Sequence, residues 1–360
     1  MFMSNLREYK CPSCGGPLAF DTGLQKLKCP YCDGTYAVEE MEKDNDGHNQ
    51  SAADQVKTQI MDWMQYEQSS LRMYSCNSCG GEILADITTG ATSCPYCNNP
   101  VVMVGHFSGK LRPDSIIPFK LDKNSAIAAL KEHYIGKPFL PAIFKKKNHL
   151  QEIKGVYVPF WMFSGKADGR VYFKTINNRK WSDSYFYYTE ESVYRVEAEG
   201  DISYDNVPID ASTKMPDDLM DSLEPYNMAD AVSFNTGYMA GYMADKFDVD
   251  MEKCLERAKR LMINTTGSEF VSPKGYDSSN LLNSNISFAD ISAKYTLLPV
   301  WLLITKWNNE TYTYAMNGQT GKFIGELPED VWKKRGIQAA ITIGLGTFLY
   351  EVCMLIGGAL

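Results

Sequence analysis

Eight of the ten cysteines fall in two copies of one pattern, and this constrains the fold more than any other feature of the chain. Cys11-Pro-Ser-Cys14 is followed, after fourteen residues, by Cys29-Pro-Tyr-Cys32; Cys76-Asn-Ser-Cys79 is followed, after fourteen more, by Cys94-Pro-Tyr-Cys97. Two-residue spacing aims both sulfurs of a pair at one point, and four thiolates at about 2.3 Å complete a tetrahedron around Zn²⁺ with no position left for water or substrate. Each copy therefore reads as a zinc ribbon, with the ion structural rather than catalytic. Disulfides and redox-active pairs are the competing readings. Redox pairs, however, do not come as matched doublets without a βαβ pattern around them.

A shift of 65 residues superposes Tyr9, Cys11, Ser13, Cys14, Gly15, Gly16, Asp21, Cys29, Pro30, Tyr31 and Cys32 on their counterparts, which marks an internal duplication. Gly15-Gly16 and Gly80-Gly81 supply the positive φ that a knuckle requires, Pro30 and Pro95 stiffen the second knuckles, and Tyr31 and Tyr96 are placed to cover the metal. Folds this small bury too little apolar surface to stand alone. Each ion is expected to contribute on the order of 10 kcal/mol of apparent stability.

Free thiolates imply a reducing compartment, and Met1 to Lys10 is too short and polar for a secretory signal. The formal charge is −8, and two Zn²⁺ on eight thiolates would take it to about −12. Such a field repels a phosphate polyanion, so nucleic acid is disfavoured as a partner and a nucleic-acid-binding factor is the second reading.

The order of segments predicts a multidomain chain. Two small β zinc ribbons occupy 1–38 and 73–104. An acidic linker over 39–72 carries a short amphipathic helix, with Val56, Ile60, Trp63 and Met64 on one face. An α+β domain rich in antiparallel strands fills 105–330. Helices are expected over 126–134 and 251–263, and strands over 155–163, 170–176, 184–188, 192–198, 295–306, 311–316 and 321–327, with a type I′ turn at Asn317-Gly318. Lys137, Lys145, Lys146, Lys147 and Lys154 form a basic stretch, read as a solvated loop. The nine carboxylates between Glu197 and Glu224 read as an exposed acidic surface.

Gly336 to Leu360 is expected to form a C-terminal transmembrane helix. Twenty-five helical residues run roughly 37 Å, against a hydrocarbon core of ~30 Å. Lys333-Lys334-Arg335 before it would place the N-terminal bulk in the cytoplasm of a single-pass cell-membrane protein. No catalytic or cofactor-binding residue is assigned. Gly318-Gln-Thr-Gly-Lys322 lacks the spacing of a phosphate loop, and no Ser-His-Asp or HExxH constellation occurs, so the chain is not expected to be an enzyme. Cys254 reads as a core thiol.

Taken as a set, the tandem Cys₄ ribbons, Ile117-Pro118-Phe119, Gly155-Val-Tyr-Val-Pro-Phe-Trp161, Tyr242-Met-Ala-Asp-Lys-Phe-Asp-Val-Asp250, Leu298-Pro-Val-Trp-Leu302 and Tyr314-Ala-Met-Asn-Gly-Gln-Thr-Gly-Lys322 resemble bacterial membrane-anchored double-zinc-ribbon proteins of the TFIIB type, often labelled primosomal helicase. The resemblance implies a membrane-tethered adaptor that recruits SPFH-domain and phage-shock proteins under envelope stress. Only the eight ribbon cysteines carry over position by position.

Overall fold

The structure, a computed structural model, describes residues 9–43, 63, 65–86, 89, 93–106, 111–269 and 275–357. The helix expected around Val56 and Ile60 lies outside them, apart from Trp63, which is buried and donates its indole N–H to the Leu111 carbonyl.

β1 (Ala19–Asp21), β2 (Lys26–Lys28) and β3 (Thr35–Tyr36) form a three-stranded antiparallel sheet, which is the first ribbon. Short helices α1 (Glu40–Lys43) and α2 (Gln65–Ser70) precede β4 (Leu71–Ser75), β5 (Glu82–Asp86) and β6 (Val102–His106) of the second. Then come β7 (Ser115–Ile116), α3 (Lys123–His133), α4 (Lys147–Leu150), β8 (Lys154–Ser182), β9 (Tyr187–Asp210), α5 (Asp217–Ser222), β10 (Val232–Ser233), β11 (Met243–Asp245) and α6 (Met251–Glu269). β12 (Ser278–Trp307), β13 (Glu310–Asn317), β14 (Phe323–Ile324) and α7 (Val331–Gly357) complete the chain.

One eleven-stranded sheet dominates, ordered β10-β7-β12-β8-β11-β5-β4-β6, with β9 on β8 and β13 and β14 continuing from β12. This corrects the expected α+β domain, since the protein is mostly β-sheet. It also means that the strands of the second ribbon belong to the main sheet. β5 pairs with β11 antiparallel, and β11 pairs with β8 in parallel.

Three strands are far longer than their hydrophobic patterns suggested. The expected strands at 155–163 and 170–176 are parts of β8; that at 192–198 lies within β9, whereas most of 184–188 is the turn between β8 and β9, with only Tyr187 and Tyr188 in strand; and β12 begins seventeen residues before the apolar run at Tyr295. Past Ser164 the strands β9-β8-β12 leave the body as a three-stranded finger. Polar residues line much of it, so alternation was weak there, and hydrogen bonding to β8 carries the strands on. Near its base α6 covers one face, with the Tyr204 hydroxyl donating to the Met262 carbonyl at 3.0 Å. The acidic surface is partly reassigned: Glu197 and Glu199 pair with Arg170, Asp217 and Asp221 with Arg257, and Asp210 is buried.

The left-handed hairpin turn falls at Asn308 and Asn309 (φ 50° and 64°), between β12 and β13, rather than at Asn317-Gly318. Asn317 instead acts through its buried side chain. It accepts the Gln319 and Thr320 amides and donates to the Leu223 carbonyl, while Gly321 (φ 80°) turns the chain into β14.

The segments that carried the family resemblance converge on one aromatic node. Phe119 stacks on Tyr242 with ring centroids 4.2 Å apart and meets Tyr157 and Trp301 edge-on at 5.0 and 5.1 Å. Gly155 and Gly318 are glycine because a Cβ would lie 2.6 Å from the rings of Tyr242 and Phe119 respectively.

The transmembrane anchor is withdrawn. Among the described residues no helix is long and apolar enough to cross a membrane, and with this the single-pass cell-membrane placement loses its basis. In α7 the basic triplet occupies the first turn, where Lys333 donates to the Pro138 carbonyl and Lys334 pairs with Glu329. From Gly336 to Tyr350 only fifteen residues precede Glu351, about 22 Å of helix against ~30 Å of hydrocarbon.

Candidate metal centres

The structure brings Cys11, Cys14, Cys29 and Cys32 together, and likewise Cys76, Cys79, Cys94 and Cys97, with the sulfurs of each set within 4.8 Å of one another. The shortest Sγ–Sγ distances are 3.4 Å (Cys11 to Cys32) and 3.4 Å (Cys76 to Cys97). All eight thiols are free, and sulfurs about 2.3 Å from one ion stand nearly this far apart. Each group could hold a metal ion, and the donor set is compatible with zinc. The described histidines belong to neither group; His149, for example, bonds Glu152 and Thr305.

Four knuckles build the two sites by one rule. The residue after each pair turns through positive φ, namely Gly15 (73°), Asp33 (56°), Gly80 (69°) and Asn98 (58°). Its amide returns to the carbonyl of the first cysteine, as in Gly15 to Cys11 at 2.7 Å and Gly80 to Cys76 at 2.8 Å. Glycine spacing revealed two of these turns; Asp33 and Asn98, which also tolerate the left-handed region, give the other two. Each turn points amides at the sulfurs, such as Tyr96 N–H to Cys94 Sγ at 3.4 Å.

Crowding of sulfurs sets their protonation. The Tyr36 hydroxyl, together with Cys32 and nearby amides, draws the Cys11 thiol down to about 6. At Cys32 the Gly34 amide pulls the same way, but the three neighbouring cysteines outweigh it and push the thiol up to about 12. Four thiolates cannot share so small a space without a cation.

The duplicated sites differ in their surroundings. In each pair the first cysteine is buried. The second is exposed in the N-terminal site (Cys14, Cys32) but only half-exposed in the other (Cys79, Cys97). Tyr31 is exposed, whereas Tyr96 is buried in the core beside Asp245, so only one of the two expected covers is enclosed by protein. Lys154, at the start of β8, clasps the second centre by donating to Ser93 Oγ (2.6 Å), Asn98 Oδ1 (3.0 Å) and the Cys94 carbonyl (3.1 Å). Burial lowers its pKa, and the nearby sulfurs of Cys94 and Cys97 work against that. A lysine read as part of a solvated loop is therefore a cation held against the second Cys₄ cluster, where the Lys214 ammonium also donates to the Cys79 carbonyl at 3.5 Å. Only the pairing of β8 beside the second ribbon could reveal it.

The first ribbon docks as a separate sheet. The Phe20 amide donates to Ala240, the Gln25 side chain to the Phe119 carbonyl, and the Tyr238 hydroxyl to Glu39. Phe20 also packs edge-on against Tyr238 at 5.2 Å. Residues 235–245 thus touch both ribbons, with the loop before β11 holding the first and β11 itself the second.

Beneath the second centre lies a buried acid pair. The Asp245 carboxyl accepts from Ser212 Oγ at 2.5 Å, and Asp210 accepts the Ser212 amide at 3.1 Å. Among the described residues the second oxygen of Asp210 has no hydrogen-bond partner, and that of Asp245 faces the Tyr96 hydroxyl. Burial, then the neighbouring charge, pushes Asp210 up to about 8, and burial pushes Asp245 up to about 7. Cys254 donates to the Asp210 carbonyl, and burial raises its thiol to about 12, so it is an inert core residue. An aspartate in the unfolded chain ionises near 3.9. The folded state therefore holds the Asp210 proton more tightly, and the associated stability is full below pH ~4 and is lost as pH rises toward 8. Asp210→Asn is expected to raise stability at pH 8 by about 1–3 kcal/mol, and by a smaller margin at pH 5.5, where only part of the proton-linked stability has been lost. Thermal melts of metal-saturated protein at both values test this. A destabilised variant at pH 8 would mean that the carboxylate is ionised and partnered.

Fold and centres together define a large β-sheet protein with two ribbon-type Cys₄ clusters, one docked on the sheet and one built into it. Over 359 residues, 98% of each chain, it is 31% identical to the uncharacterized protein YdjG of Bacillus subtilis strain 168, and it belongs to the family of that protein. No family model and no solved structure matches the chain.

Proposed function

We propose that the protein is a binding scaffold in which two Zn²⁺ ions, one per Cys₄ set, hold the architecture while exposed surfaces engage protein partners. The observation that carries this reading is the end of the finger. Trp181, Tyr185, Phe186, Tyr187 and Tyr188 crowd one turn, and Tyr185 and Tyr187 are 87% and 95% exposed. The turn is stiff: Asp183 accepts the Tyr185 and Phe186 amides and the Tyr188 hydroxyl, and Trp181 stacks on Tyr188 at 5.5 Å. Rigid aromatic side chains lose little entropy on docking and supply most of the binding energy at protein interfaces. The metal centres offer no open coordination position for catalysis. SPFH-domain and phage-shock proteins, the partners that the family resemblance implies, are the first candidates.

The test is binding of purified candidate partners to the full chain and to a Tyr185→Ser/Phe186→Ser/Tyr187→Ser variant. Two zinc per chain in both proteins, with binding lost in the variant, is the expected result. Equal binding, or preparations without stoichiometric zinc, would remove the proposal. The ions are also expected to leave at different rates. Cys14 and Cys32 face solvent, so a chelator in excess should strip the first centre about tenfold faster than the second, whose outer contacts include Lys154. A chromogenic zinc indicator that resolved a single phase would contradict that order.

A further inference from the structure

Along the finger, β12 presents a free edge. Over Ser278–Ala293 its ladder runs only to β8, and its other neighbours, β7 and β13, begin at Thr296 and Val300. No other described strand pairs with this side. Proteins usually protect such an edge with charge, proline or bulges. Here sixteen residues carry Asp290 as their one ionisable side chain and no proline. Leu281 and Leu282 stand half-exposed among serines and asparagines. The two bulges, at Leu281/Asn283 and Ala289/Ser292, lie at the ends and leave Asn283–Ala289 as a regular run of seven centred on Ile286.

We propose that this edge is a self-association surface, on which a second copy of the chain adds its own β12 antiparallel. A two-fold axis at Ile286 would set Asn283 opposite the partner copy's Ala289 and Asn285 opposite its Ser287, giving a six-stranded sheet across two fingers. The occupant is a second copy because of charge. A strand without like charges can pair with itself, whereas the other outer strand, β9, carries six carboxylates against Arg195 between Tyr187 and Asp205 and would repel its own copy. In this register Asp290 faces Leu282 rather than another Asp290. An isologous contact of this kind closes at two copies and leaves the acidic β9 edges outermost.

The test is light scattering on the zinc-loaded full chain over a concentration series, with zinc content and circular dichroism confirming the fold of each variant. Asn285 and Ser287 are exposed, on the finger face that bears Arg170 and Asp168. The wild type is expected to double in mass, and Asn285→Lys/Ser287→Lys, which sets lysines against each other across the axis, to remain single. Asn285→Glu/Ser287→Lys makes the facing charges complementary and is expected to restore the pair. A wild type that is monomeric at every concentration would overturn the proposal. So would a dimer indifferent to the double lysine variant, which would place the contact on another surface.

Discussion

Cys76→Ser is expected to unfold most of the protein, whereas Cys11→Ser should release one small sheet and leave the remainder folded. Both substitutions remove a buried ligand from a Cys₄ set, and each ion contributes on the order of 10 kcal/mol of apparent stability. The difference lies in what each ion holds. The first ribbon is a sheet of its own, attached through Phe20, Gln25 and Glu39. Cys76 follows directly on β4, whose partner β5 hydrogen-bonds β11, and β11 lies on β8. The side chains of Cys76 and Cys94 pack in the same apolar cluster as Val156, Val158 and Leu298 of the central strands. Losing the second ion therefore opens the β5-β4-β6 end of the eleven-stranded sheet together with the apolar cluster it shares with the central strands. Circular dichroism and limited proteolysis of both variants in excess zinc provide the measurement. Equal loss of β signal would mean that the two ribbons are energetically equivalent, contrary to their topology.

Phe119→Ala is expected to cost about 3–5 kcal/mol, as for a fully buried aromatic residue whose cavity cannot collapse. Collapse is prevented because the surrounding rings are held separately. Trp301 donates its indole N–H to the Leu121 carbonyl, and the Tyr157 hydroxyl donates to the Tyr238 carbonyl. Tyr242 lies against the ring of Phe119 itself. The Phe119 carbonyl also accepts Gln25 of the first ribbon, so movement of this segment should loosen that ribbon as well. Urea unfolding of the zinc-loaded protein gives the stability loss, and the chelation rate of the first centre reports the loosening. A loss below about 1 kcal/mol would show that the node is replaceable packing and does not join the two parts.

The metal centres were legible in the chain because a Cys₄ site is a local construction. Two short turns fix the sulfur geometry, and Cys-x-x-Cys with the glycine, aspartate or asparagine that follows it encodes each turn almost entirely within six residues. The helix expected over 126–134 was legible for the same reason, since its ends are local: Asp122 accepts the Ser125 amide, and Gly136 (φ 74°) follows the helix end. The length of the finger was not. Ser278–Ala293 is rich in serine and asparagine, residues that favour turns in isolation, and it becomes strand because β8 offers a continuous ladder from residues more than a hundred positions away. The tail helix misled for a related reason. Its composition suits lipid over a short window, but the apolar run ends at Glu351 and the basic turn before it is tied to Pro138 and Glu329.

Cysteine spacing by itself determined that the chain carries two duplicated Cys₄ clusters, each able to hold a metal ion, since ligand geometry is written within each turn. Tertiary structure decided that the copies are unequal, one a docked sheet and the other a stretch of the central sheet clasped by Lys154. Strand pairing over long sequence separations made that choice, because the two edges that meet at β5 and β11 are set by topology and not by any local run of residues.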